Sequence, residues 1–135
     1  METNKKIAII IDGAALMQKA AENIAAVIEA CPGYSAAVIQ AQGFSGTELL
    51  PAHAVFLGCE EPKPSSFASI ETFLGHINLA GRPCGIFSSG AKGLEYLSAL
   101  VRDSEIAADR PFQVENGAID REKLKNWVQD ILQKG

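Results

Sequence analysis

Residues 6–12 read Lys-Ile-Ala-Ile-Ile-Ile-Asp, an apolar run too continuous for a strand wetted on one side. It predicts a central strand covered on both faces. From residue 14 to residue 31 the period changes. Leu16, Ala20, Ile24, Val27 and Ile28 form an apolar stripe at helical spacing, and Cys-Pro-Gly ends it. Residues 35–42 are a second strand, residues 43–52 a loop with one helical turn at 47–50, and residues 53–58 a third strand. A polar loop punctuated by prolines, from Glu60 to Ser66, leads into residues 67–79, where Phe67, Ile70, Phe73, Leu74 and Ile77 recur at helical spacing. Gly81-Arg82-Pro83 turns the chain into a fourth strand at 84–88, and Ser89-Gly90-Ala91-Lys92-Gly93 opens a helix carrying Leu94, Leu97, Leu100 and Val101. A weak fifth strand at 112–115 precedes a terminal helix capped by Asp120, with Lys123 in its third position and Leu124, Trp127, Val128 and Ile131 as its buried stripe.

Strands that alternate with helices in this way predict an open, doubly wound parallel α/β sheet, because parallel neighbours need helical crossovers that cover both faces. No internal repeat and no long Pro/Gly/Ser linker divides the chain, so residues 1–135 are read as one domain. Twelve Lys+Arg against 16 Asp+Glu leave a net charge of −4. That lacks the basic excess nucleic acid or an anionic membrane would require. Charges at Asp12, Glu22, Glu29, Glu71 and Arg82 interrupt every apolar stretch before it reaches membrane-spanning length. The N-terminal apolar run is too short for a signal peptide, and a cytoplasmic location is expected. Three widely spaced cysteines, Cys31, Cys59 and Cys84, fit neither a disulfide framework nor a closed zinc site. They are expected to be reduced and mostly buried.

Several segments together resemble the flavodoxin family: the strand at 6–12, the helix with its Ala20-Ala21-Glu22-Asn23-Ile24-Ala25 segment, and His53-Ala54-Val55-Phe56-Leu57-Gly58 followed by a proline-bearing loop. Gly81-Arg82-Pro83-Cys84-Gly85-Ile86-Phe87-Ser88-Ser89-Gly90 and the Trp-containing terminal helix complete the likeness, which covers nearly the whole chain. It implies a five-stranded sheet in the order 2-1-3-4-5 and a ligand crevice at the strand C-termini. If flavin mononucleotide (FMN) binds, it would be held by Gly13, Ala14, Ala15, Cys59, Glu60, Glu61, Ser88, Ser89, Gly90 and Gly93.

The loops depart from that pattern. Flavodoxins offer the flavin phosphate several hydroxyls and backbone N–H groups after the first strand, whereas Asp12-Gly13-Ala14-Ala15-Leu16-Met17 has no hydroxyl and adds a negative charge. The aromatic that commonly stacks on the flavin ring from the third loop is missing from residues 59–66, which carry Glu60 and Glu61 instead. Only Ser88–Gly93 keeps the small, Gly-rich character that lets backbone approach a ring. The chain therefore reads as a divergent flavodoxin-like domain with a degenerate FMN site and no favoured cofactor. It is more a non-catalytic binding or regulatory module, with a protein or small-molecule partner at the crevice, than an enzyme. The alternative is an FMN-binding electron carrier.

The same residues also bear on other chemistries. Asp12 at a strand end also resembles the opening of PIN-like (NYN) metal-dependent nucleases, with Glu60 and Glu61 as the only nearby acids to share a metal. The further acidic motifs of that family are absent, and the simpler reading is that Asp12 caps the helix starting near Ala14 and orders the turn. A phosphoacceptor fails because the third strand ends in Gly58-Cys59 and not in an aspartate. Ser88 and Ser89 have no neighbouring histidine to act as base, and His53 and His76 read as structural or exposed. Lys92 reads as solvated. Glu60 and Glu61 work against a reactive thiolate at Cys59.

Overall fold

The computed structural model describes residues 5–42, 52–61, 64–74, 83–103, 107–108, 111–114 and 120–133. The chain alternates β1 (Lys5–Ile11), α1 (Ala15–Glu29), β2 (Tyr34–Gln40), β3 (Ala54–Gly58), α2 (Ala68–Leu74), β4 (Pro83–Ser88) and α3 (Ala91–Asp103). Two short strands, β5 (Ala107–Ala108) and β6 (Phe112–Gln113), precede α4 (Arg121–Gln133).

All pairings are parallel, and the order is β2-β1-β3-β4-β5, with β6 also on β4. This is the expected 2-1-3-4-5 sheet, with its fifth position filled by two pieces. Pro83 and Cys84 pair with Ala107 and Ala108, and Phe87 and Ser88 pair with Phe112 and Gln113. The expected fifth strand thus starts earlier and is broken. Pro111, just before the second piece, has no N–H to continue the ladder.

The run that predicts a central strand is one. Ile7, Ile9 and Ile11 of β1 enter a core with Met17, Ala20, Ile24 and Ile28 of α1 and Leu124, Trp127, Val128 and Ile131 of α4. Ala8 and Ile10 enter a second core with Phe67, Ile70, Leu74, Leu97 and Val101 from α2, α3 and the turn before α2. Period-two alternation thus sends successive side chains of one strand into two helix layers. β2, at the edge, is only partly buried.

Other boundaries moved slightly. The second long helix opens with a 3-10 turn at Ser65–Phe67 and continues as α2, and its expected extension to 79 lies outside the described residues. The expected helical turn at 47–50, His76, Pro62, Lys63 and Glu115 also lie outside them. Asp120 caps α4 as expected, its Oδ1 accepting from the amides of Glu122 and Lys123 at 3.1 Å each. Among the described residues no helix is long and apolar enough to cross a membrane.

Candidate functional site

Because β1, β3 and β4 run parallel, Ile11, Gly58 and Ser88 end at one edge of the sheet and the loops that follow them lie together. Between β1 and β3 the winding of the sheet reverses, since the chain leaves β1 toward β2 on one side and returns to β3 on the other. Such a switch point leaves a crevice where open α/β sheets take ligands.

Asp12 stands at that point. Its Oδ1 accepts from the Ala14 amide at 3.1 Å, closing a local turn, and its Oδ2 accepts from the Glu60 amide at 2.9 Å. Gly13 makes the turn possible with φ at +92°, a conformation that L side chains rarely adopt. The expectation that Asp12 caps α1 needs correcting. The N-cap is Ala14, without a side-chain bond, and the carboxylate bridges to the third-strand loop instead. One carboxylate therefore ties together two loops 48 residues apart.

The third-strand loop begins at Cys59, which is fully buried. Burial foremost, and the negative charge of Asp12 after it, push the Cys59 thiol up to about 12, so it is protonated at neutral pH. Glu60 and Glu61 are exposed. From the fourth strand, buried Ser88 donates its hydroxyl to the Glu60 carbonyl at 3.5 Å and accepts from the Gly90 amide at 3.3 Å. Gly93, in the first turn of α3, is buried against it. A Cβ there would lie 2.3 Å from Ser88 Oγ and 3.1 Å from the Cys59 carbonyl oxygen. Ser89 and Gly90 are half-buried, and the Ser89 carbonyl accepts from Gln113 Nε2 at 3.3 Å. Ala14 is half-buried, while Gly13, Ala15 and Lys92 are exposed.

Behind these loops the Tyr96 hydroxyl donates to Glu71 Oε2 at 2.5 Å, joining α3 to α2. Burial first, then this bond, hold the Tyr96 phenol above its ordinary range. No sequence spacing marks that pair, whose members lie on different helices. Among the described residues no group of three His, Cys, Asp or Glu side chains converges to hold a metal ion, so Asp12, Glu60 and Glu61 do not form one ligand set. Away from the crevice, a groove of about 700 Å³ runs between α1 and α4, lined in part by Glu22, Val27, Cys31, Arg121, Leu124 and Lys125. It shares no residue with the three loops.

No protein-family model matches the chain, and no curated relative matches its sequence. Solved structures match it closely in shape. Oxidised flavodoxin 1 from Bacillus cereus superposes with a TM-score of 0.79 at 19% identity, covering 96% of this chain and 98% of that one. The flavodoxin of Streptococcus pneumonia TIGR4 gives a TM-score of 0.82 at 14% identity, with 96% and 99% covered. The fold is that of the flavodoxins. A flavodoxin from the domain Archaea gives 0.77 at 20% identity, with 96% and 97% covered. At these identities the flavodoxin-like likeness is one of architecture, and the chemistry of the crevice must be argued from its own residues.

Proposed function

We propose that this flavodoxin-like chain is a non-catalytic binding or regulatory module whose crevice does not hold FMN in the usual way. The observation that carries the reading is the double engagement of Asp12, whose carboxylate accepts from the Ala14 and Glu60 amides. Backbone N–H groups at the start of a helix are the natural partners of a phosphate. Here an internal anion uses one of them. A phosphate arriving at the same place would compete with Asp12 for its donors and be repelled by it at short range.

The third-strand loop supports the same reading. The first aromatic ring after Glu60 and Glu61 is Phe67, which is fully buried and packs edge-on against Tyr96 with centroids 6.3 Å apart. It is part of the core and offers no face to a flavin. The exposed carboxylates of Glu60 and Glu61 suit a basic partner segment better than a phosphate-bearing one. Cytoplasmic work as a single domain belongs to this reading.

The alternative is an FMN-dependent electron carrier. The likeness to flavodoxin structures favours it, as does the open space around Gly90, where an added Cβ would meet nothing within 4 Å. A metal-dependent nuclease finds less support, because both oxygens of Asp12 are engaged by amides and no second and third acid join it among the described residues.

Titration with FMN, followed by flavin fluorescence, tests the reading. The expected result is no stoichiometric quenching and a colourless protein on purification. Stoichiometric quenching with submicromolar affinity would overturn it and make the chain an electron carrier.

A further inference from the structure

The backbone of Glu60 is held from both sides. Its amide donates to Asp12 Oδ2 at 2.9 Å, and its carbonyl accepts from Ser88 Oγ at 3.5 Å. That hydroxyl in turn accepts from the Gly90 amide at 3.3 Å. Asp12 follows β1, Glu60 follows β3 and Ser88 ends β4, so segments from three strands meet on one residue. The limbs are unequal. An amide bonded to a carboxylate at 2.9 Å is a short, charge-assisted contact, whereas a hydroxyl at 3.5 Å sits at the long end of hydrogen-bond geometry.

Ser88 keeps its place because α3 begins its packing with a glycine. A Cβ at Gly93 would lie 2.3 Å from Ser88 Oγ, 3.0 Å from Ser88 Cβ and 3.1 Å from the Cys59 carbonyl oxygen. Cys59 itself is fully buried. It packs in the cluster with Phe67, Leu97 and Tyr96, directly before the strapped residue.

We propose that Asp12, Glu60 and Ser88 form a strap that holds the Cys59–Glu60 segment closed over the end of the sheet, with Asp12 as its main fastening. Breaking the Asp12 link opens that segment and uncovers the Cys59 thiol while the sheet stays folded. A partner that takes the Glu60 amide must first displace Asp12, and displacing it frees the segment. The strap thereby gives the crevice a closed and an open form. This rests on the reading of the crevice as the working surface of a module that does not hold FMN, and FMN binding would overturn that reading without touching the strap.

Two of the cysteines supply the test. Cys59 reports the strap. Cys84, in β4 and 1% exposed, reports opening of the sheet itself. Both thiols are pushed up to about 12 by burial, with Asp12 adding to the effect at Cys59, so labelling near pH 8 runs through opened forms. The folded protein is labelled with iodoacetamide and the modified peptides are quantified by mass. Asp12→Ala is expected to raise the Cys59 rate about tenfold, the effect of losing one charge-assisted bond, with the Cys84 rate unchanged.

Asp12→Ala also removes a charge that acts on the thiol, so two neutral variants complete the test. Ser88→Ala is expected to raise the Cys59 rate by a smaller factor, in line with its longer bond. Gly93→Ala, which displaces Ser88, should do the same. Three results would overturn the strap: a Cys59 rate unchanged in Asp12→Ala, a rise confined to Asp12→Ala with both neutral variants at the wild-type rate, or a parallel rise at Cys59 and Cys84.

Discussion

Replacing Gly58 with alanine is expected to lower stability by about 3 kcal/mol, the upper end for overpacking a core, and to shift the thermal midpoint by roughly 10 °C. Gly58 ends β3 and pairs in register with Phe87 of β4. A Cβ there would lie 2.2 Å from Phe87 Cε2 and 2.3 Å from Cζ, far inside any contact distance. A ring tip in open space would swing aside at little cost. Phe87 has no such freedom, because it is fully buried and meets Trp127 edge-on with centroids 6.3 Å apart. Relief must therefore come from the strands, and Gly58 immediately precedes the Cys59–Glu60 segment that Asp12 holds. Urea unfolding measures the loss. Shortening the obstacle in a Gly58→Ala, Phe87→Leu double variant should cost less than the sum of the two single changes. A cost below about 0.5 kcal/mol for Gly58→Ala, the range of an uneventful surface change, would show that the ring is not fixed as described.

Trp127→Ala is expected to cost about 4 kcal/mol, within the range for truncating a large buried aromatic. Trp127 lies on the core-facing side of α4, 7% exposed, and gathers three rings around it. Phe56 of β3 meets it edge-on at 5.3 Å and 75°, Phe87 of β4 edge-on at 6.3 Å and 79°, and Phe112 of β6 in a tilted contact at 5.0 Å and 35°. These contacts join the terminal helix to three strands at once, so truncation removes transfer energy and leaves a cavity that rigid neighbours cannot fill. As this is the chain's single tryptophan, unfolding of the variant is followed by far-ultraviolet circular dichroism. Trp127→Phe should recover much of the loss. A cost for Trp127→Ala of under about 1 kcal/mol would mean that α4 is not anchored through this ring.

Much of the architecture was legible in the pattern of side chains, for a physical reason visible in β1. Ile7 to Ile11 are apolar without interruption because both faces of that strand are roofed by helices, and Ile7, Ile9 and Ile11 serve one roof while Ala8 and Ile10 serve the other. The amphipathic stripes of α1 and α4 were legible because a helix packed on one side must repeat its apolar residues near every third or fourth position. The broken fifth strand was harder to read, because Ala107–Ala108 and Phe112–Gln113 are each too short to show a period. Gly58 and Gly85 look like ordinary strand glycines in sequence. Only the fold shows that Phe87 crosses one, and that Phe56 and Ile131 would be struck by a Cβ on the other.

The crevice residues were identifiable singly, since the end of each central strand could be located. Their connection was not. In the sequence Glu60 and Glu61 are the acids able to join Asp12, yet the contact uses the Glu60 amide, which any non-proline residue at that position would possess. A backbone donor leaves no mark in a sequence. Burial likewise separated Ser88 from Ser89. The two are adjacent, but the first is enclosed beneath Glu60 and the second is half-buried.

The bridging carboxylate is tested most directly by amide NMR of Asp12→Ala beside the wild-type chain. Loss of the bond from Ala14 and of the bond from Glu60 should move both amide proton resonances upfield, and these should rank among the largest changes in the spectrum. Changes confined to the neighbours of residue 12, with the Glu60 amide unmoved, would contradict the bridge and with it the claim that the crevice is held closed by its own anion.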